Sequence, residues 1–398
     1  MSTVQALSLE NLPFDAARLD RLLDEAGIDI LLVTSKHNVQ YLLGGYRFFF
    51  FDYMDAIAQS RYLPVLIYQK GKPENAAYFG ATLETFEKLL GKFWPPTVQT
   101  TTWSSTDAVK LAVEHIKKIS GSSSTIGVEK SFMPMDGGQL LHENFGEPRI
   151  KEANFALERL RLIKSPEELN LLRVSSERVV ESMGAVFNHC APGMTKNDLV
   201  AKLRREEVNR DLTFEYCLIT AGRDLNRAPT DQKLQPGDIM SIDSGGNYHG
   251  YIGDLCRMGI LGEPDPELVD LLGLIEHVQQ EARKPIKEGG RGGDIFTIAN
   301  AIVAKSEHKA YLEFLAHGMG LVSHEGPRLT STGAVPYHGY DADRPLEAGM
   351  VISIETTMKH PTRGFIKLED TVAVTATGSE GFGDQCRGWN RAGGSAAQ

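Results

Sequence analysis

The chain is poor in cysteine, carries no excess of positive charge and contains no long apolar run. Its four cysteines, Cys190, Cys217, Cys256 and Cys386, lie far apart with no CxxC pair, which excludes a small disulfide scaffold and points to free thiols in a reducing compartment. Lysine and arginine number 42 against 52 acids, a net charge of -10, so phosphate-driven binding is disfavoured and no nucleic-acid partner is expected. No stretch approaches a membrane span, and residues 1–10 lack the basic segment and apolar core of a secretion signal. A cytoplasmic location without a membrane partner follows as the expectation. The first half also lacks a phosphate-binding glycine fingerprint and any His or Asp cluster, and no internal repeat or low-complexity tract breaks the pattern.

What remains is a 398-residue chain, 41% hydrophobic, long enough for two domains. Residues 1–155 alternate helix and strand patterns as in a small α/β domain, with helices over 16–26, 83–93 and 107–119 and strands over 28–33, 63–68, 98–103 and 125–129. The aromatic segment 46–53, containing Phe48, Phe49, Phe50 and Phe51, reads either as a buried edge strand or as an exposed surface for a partner subunit or ligand. Residues 156–398 form the second domain. Ser165 caps and Pro166 opens a helix reaching about residue 189, and further helices are expected over 196–208, 266–285 and 293–306 among strands.

Chemistry concentrates in the last third. In the hairpin around residues 237–260, an alternating strand ends at Gly245-Gly246-Asn247 and a second returns from Tyr248. A register pairing Asp243 with Asp254 would bring both carboxylates to one face, unfavourable unless a cation lies between them. Glu355 ends a buried strand, and alternation puts Lys367, Glu369 and Thr371 together on one face. His317 and His324 occupy a glycine-rich segment. Four carboxylates and an imidazole suit two divalent ions of the Mn, Fe, Co or Zn kind, and the chain reads as a binuclear metalloenzyme.

The order Asp243, Asp254, His317, Glu355, Glu369, with ten residues between the aspartates and His324 seven after His317, resembles the pita-bread metallopeptidase family M24 of methionine aminopeptidase, aminopeptidase P, prolidase and creatinase. Residues 157–166 look like the entry to the catalytic domain of its prolidase and creatinase branch, and residues 27–45 are similar to that branch's smaller domain. The resemblance implies an α+β fold, a pita-bread catalytic domain preceded by a creatinase-type α/β domain. It implies that Asp243 chelates one ion, His317 and Glu355 the other, and that Asp254 and Glu369 bridge them. A water between the ions would be acidified to a hydroxide that attacks an amide or peptide bond of the Xaa-Pro type, with Glu355 as proton shuttle and His324 as donor to the substrate. It also implies a homodimer in which segment 46–53 walls the neighbouring pocket.

The chain departs from the family pattern at several places. A substrate-facing His expected about seventeen residues before the first Asp falls at Asn226; Thr356-Thr357 stand for Pro-Gly, Lys367 for Arg and Cys256 for Thr. The loss of the imidazole implies slower cleavage of Xaa-Pro dipeptides than of the true substrate. An alternative is therefore a non-peptidase member acting on a small metabolite, as creatinase, ectoine hydrolase and a dimethylsulfoniopropionate lyase do. A metal-free binding module is opposed by the intact ligand set.

Overall fold

The computed structural model describes residues 8–53, 62–331 and 338–392, and the chain divides into two compact units after Arg161. In the first, helices α1 (Ala16–Glu25), α2 (Lys36–Leu42), α3 (Thr85–Leu89), α4 (Ser105–Ser120), α5 (Met135–Phe145) and α6 (Asn154–Leu160) accompany six strands: β1 (Ile30–Val33), β2 (Val65–Gln69), β3 (Lys72–Ala81), β4 (Thr97–Thr102), β5 (Ile126–Val128) and β6 (Ile150–Glu152). They form one mixed sheet in the order β4-β3-β2-β1-β5-β6. Both faces are covered, which is why β1 is apolar throughout: Leu31 and Val33 join a core with Leu19, Leu23 and Leu157, while Ile30 and Leu32 face Val109, Ala112 and Leu141. Strand β3 has no counterpart in the sequence reading, because Pro73, Gly80 and its alanines weaken the strand signal.

The aromatic segment is not an edge strand. Phe49–Tyr53 form a 3₁₀ turn, in which side chains three apart align; Phe48 and Phe51 enter their own unit's core while Phe49 stays 60% exposed.

The second unit contains α7 (Pro166–His189), α8 (Lys196–Val208), α9 (Pro266–Arg283) and α10 (Asp294–Lys305). Its strands are β7 (Thr213–Ala221), β8 (Ile239–Tyr248), β9 (Tyr251–Leu261), β10 (Leu312–Gly318), β11 (Val351–His360), β12 (Gly364–Val374), β13 (Ser379–Phe382) and β14 (Asn390–Ala392). The sheet runs β10-β11-β12-β9-β8-β7 with antiparallel neighbours; β13 pairs with β12, and β14 runs parallel to β9. Helix α7 starts as its sequence demands, with Ser165 and Glu168 in a reciprocal capping box around Pro166. One sheet face is closed by helices. Met240 and Ile242 pack with Val179, Val180 and Leu203, and Ile352 and Ile354 pack with Val278, Ala282 and Ile295. By alternation, the intervening residues of these strands point to the other face, where the polar side chains collect.

Two local expectations give way here. The β8–β9 turn is His249-Gly250, with φ of 50° and 96°, because a two-residue hairpin needs two successive left-handed residues. Gly245 and Gly246 lie inside β8; a Cβ on Gly245 would come within 2.4 Å of the Tyr216 ring, and one on Gly246 within 2.6 Å of Val179. Nor does β11 end at Glu355: Thr356 and Thr357, good strand formers, carry it to His360. No described helix is long and apolar enough to cross a membrane.

Candidate metal centre

Five adjacent strands each supply one of the five expected ligands. Register lines Asp243, Cys256, Glu369, Glu355 and Leu315 across β8, β9, β12, β11 and β10. The neighbouring row carries Asp254 opposite Gly245, and His317 opposite Ser353. Asp243 and Asp254 are thus not directly opposed. They are diagonal, two residues out of register, and still share a face.

All five side chains are buried, and their ligand-capable atoms fall into overlapping groups within 4.8 Å: Asp243, Asp254 and Glu369; His317, Glu355 and Glu369; Asp254, His317 and His324. When His317 donates from Nδ1 to the Gly318 carbonyl oxygen at 3.2 Å, its Nε2 presents a lone pair to the cluster. That Nε2 lies 3.5 Å from Glu355 Oε1 and 3.8 Å from Glu369 Oε1 and makes no hydrogen bond among the described residues; Asp254 Oδ1 is likewise buried and unpartnered among them. The Ser353 hydroxyl donates to Glu369 Oε1 at 2.9 Å. His324 stacks on His317 with ring centroids 3.7 Å apart. The glycines of this segment are steric requirements, since a Cβ on Gly318 would meet the Gly326 backbone at 2.1 Å.

Two cations enter the cluster. Lys367 Nζ lies 2.7 Å from Asp243 Oδ2, 2.5 Å from Glu355 Oε2 and 2.7 Å from Glu369 Oε2. Arg227 bonds Asp243 Oδ2 while its guanidinium lies 5.1 Å from the Phe365 ring centroid. Asn226, expected to face substrate, is exposed and closes a local turn instead, its Oδ1 accepting from Ala228 N at 3.0 Å. The next residue is the one that reaches inward. No sequence signal separated Asn226 from Arg227, because one residue of loop geometry decides it; Lys367 was legible on the site face by alternation with Glu369.

Electrostatics follow from burial and crowding. Burial, reinforced by Glu369 and Asp243, holds the Asp254 carboxyl well above its ordinary value, and burial raises Asp243 to about 6 although Lys367 opposes it. Burial also works against charge on Glu355, yet Lys367 and His317 overcome it and hold that carboxyl below the usual range. For His317 burial disfavours the imidazolium, but Glu355 and Glu369 outweigh it and push the ring up to about 10. Burial and the neighbouring His317 bring His324 down to about 4.

Residues 170–376 match the metallopeptidase family M24, and residues 16–163 match the Creatinase/Prolidase N-terminal domain. The chain belongs to this metallopeptidase family. This M24 protein is 24% identical over 375 residues to the Xaa-Pro dipeptidase of Pyrococcus horikoshii, covering 91% of this chain and 95% of that one. It is also 24% identical to the Xaa-Pro dipeptidase of Lactobacillus delbrueckii subsp. lactis, covering 92% and 95%. Among solved structures, the Xaa-Pro dipeptidase from Bacillus anthracis superposes with a TM-score of 0.78 at 18% identity, covering 94% of this chain and 98% of that one. The prolidase from Pyrococcus horikoshii OT3 gives 0.74 at 22%, covering 93% and 97%. The creatinase-type domain followed by a pita-bread domain is therefore the fold of this chain.

Family membership implies divalent metal ions, and the residues fit them. His317 Nε2, a metal-binding nitrogen once its proton is displaced, and Asp254 Oδ1, both buried and without hydrogen-bond partners among the described residues, lie within a cage of hard oxygen donors, the donor chemistry that Mn, Fe, Co and Zn share.

Proposed function

We propose that this chain is a metal-dependent hydrolase cleaving the amide bond of a short Xaa-Pro-type peptide, with the unit up to Arg161 as its N-terminal domain and the unit from Leu162 as its catalytic domain. The observation that carries the proposal is the pair of unpartnered buried atoms, His317 Nε2 and Asp254 Oδ1, inside the five-strand acidic cluster. Relatives named as Xaa-Pro dipeptidases and aligned over nine-tenths of the chain support the substrate class.

The cluster would offer two neighbouring cation positions: His317 and Glu355 at one, Asp243 at the other, and Asp254 and Glu369 between them. By the family resemblance a divalent ion would occupy each. Bound metal supplies an activated water and polarises the scissile carbonyl. The protein's own groups do the rest. Glu355, held ionised, takes a proton from the attacking water and returns it to the leaving nitrogen. His324, held neutral and half-buried beside His317, donates an N–H to the oxygen on which charge develops. Arg227, a third exposed and braced over Phe365, presents its free N–H groups to a substrate carboxylate.

A non-peptidase substrate is the second reading, favoured by one observation: a guanidinium rather than an imidazole enters the site from the loop after β7. A panel of Xaa-Pro dipeptides and small amide-bearing metabolites, assayed with Mn²⁺ and with chelator, separates the two. Metal-dependent proline release supports the first, and turnover of metabolites alone supports the second. For assembly, we propose a homodimer that uses the exposed Phe49 ring. Light scattering giving a monomer with full activity contradicts it.

A further inference from the structure

Charge and hydrogen-bonding capacity are unevenly spread over the two cation positions. On the Asp243 side, the Lys367 ammonium has three N–H donors and meets three carboxylate oxygens, those of Asp243, Glu355 and Glu369, at 2.5–2.7 Å. Its donors are complete and its side chain is only 4% exposed, so water takes no share of the charge. Asp243 Oδ2 also accepts from Arg227. On the His317 side the reverse holds. His317 Nε2 and Asp254 Oδ1 are buried without a hydrogen-bond partner among the described residues, and the carboxylate oxygens nearest Nε2 stand back at 3.5 and 3.8 Å.

Charge balance points the same way. Asp243, Asp254, Glu355 and Glu369 bring four negative charges when ionised, and Lys367 and Arg227 offset two of them. One divalent ion bound at His317 Nε2, whose proton it displaces, neutralises the remainder. Two would leave a buried site with excess positive charge, which low-dielectric surroundings penalise. Lysine suits this role because its ammonium is a compact point charge, whereas a guanidinium spreads its donors over a planar fork.

We infer that Lys367 is a built-in cation standing in for one of the two ions, so that the cluster takes a single divalent ion, on the His317 side, held by His317, Glu355, Glu369 and Asp254. The inference rests on the metal-dependent reading above and narrows it. It makes metal content, rather than activity, the decisive property.

The test uses the full chain, stripped with chelator, dialysed against Mn²⁺ and examined by elemental analysis and electron paramagnetic resonance. Wild-type protein is expected to hold one Mn²⁺ per chain with the spectrum of an isolated ion. Lys367→Met, which keeps most of the side chain's length and removes its charge, is expected to hold two with an exchange-coupled spectrum. Two ions per wild-type chain overturn the inference and leave the hydrolase reading standing; none overturns both. A Lys367→Met protein that still takes one ion overturns the role given to Lys367. If that variant fails to fold, Asp243→Asn and His317→Ala decide in the Lys367 background. The first is expected to keep its one ion and the second to lose it. Loss of the ion from Asp243→Asn, or its retention in His317→Ala, overturns the assignment.

Discussion

Glu355 lies directly opposite Glu369 across the antiparallel pair β11–β12, two buried carboxylates where like charges repel. Such a pair persists only with cations beside it, here Lys367 on one side and, in the proposed function, metal on the other. Removing metal should therefore loosen this sheet face. Chelation is expected to lower the melting temperature by roughly 5–15 °C, reversed by added Mn²⁺. Asp254→Ala is expected to abolish activity and the metal-dependent part of the shift together. Calorimetry showing the same melting temperature with and without chelator contradicts this.

Arg227 and Asn226 offer a test one residue apart. Arg227→Met removes the guanidinium that reaches Asp243 and is expected to raise KM roughly tenfold or more toward a carboxylate-bearing substrate. Asn226→Ala removes only an exposed turn contact, and KM should stay within about twofold. Steady-state kinetics with the opposite ranking would return the substrate contact to Asn226.

Tight packing of the hairpin against α7 gives a stability prediction. A Cβ on Gly253 would lie 2.7 Å from Ser176 N and 2.8 Å from its Cα, backbone atoms that cannot swing aside. Gly253→Ala is expected to cost about 1–3 kcal/mol in denaturant unfolding. Because Gly253 precedes Asp254, metal affinity should fall as well. An unchanged midpoint would mean that α7 and β9 separate more readily than their contacts imply.

The pH dependence of stability has an identifiable contributor away from the cluster. Burial pushes Glu207 up to about 8, although the Ser244 hydroxyl donates to its Oε1 at 2.8 Å. The folded state therefore keeps a proton that the unfolded chain gives up at a lower pH. This stabilisation is complete below the ordinary carboxylate range and is lost as pH rises through about 8. Glu207→Gln, neutral throughout, is expected to flatten the decline of melting temperature between about pH 5 and 8. A variant with the wild-type slope would assign the decline elsewhere.

The residue types of the centre were legible because each sits in an alternating strand beside apolar residues, which forces Asp243, Glu355 and Glu369 onto the face away from the helices. Register was harder. Gly245-Gly246 looks like a turn in sequence, but those glycines admit Tyr216 and Val179, and the turn itself falls on His249, which sequence gives little reason to place at positive φ. The same limit hid the inward step from Asn226 to Arg227. Strand β3 was missed because its residues form a strand through pairing with β2 and β4 rather than through their own propensity. Segment 46–53 was ambiguous because a run of aromatics carries no period; only packing shows that Phe48 and Phe51 turn inward and Phe49 outward.

The central claim, metal-dependent hydrolysis of an Xaa-Pro-type amide bond, is tested most directly by following proline release from a panel of Xaa-Pro dipeptides. Protein reconstituted with Mn²⁺ is expected to release proline, to stop when chelator is added, and to resume when Mn²⁺ is restored. No release from any dipeptide by the metal-replete protein, or release that strong chelation leaves unchanged, would contradict the account.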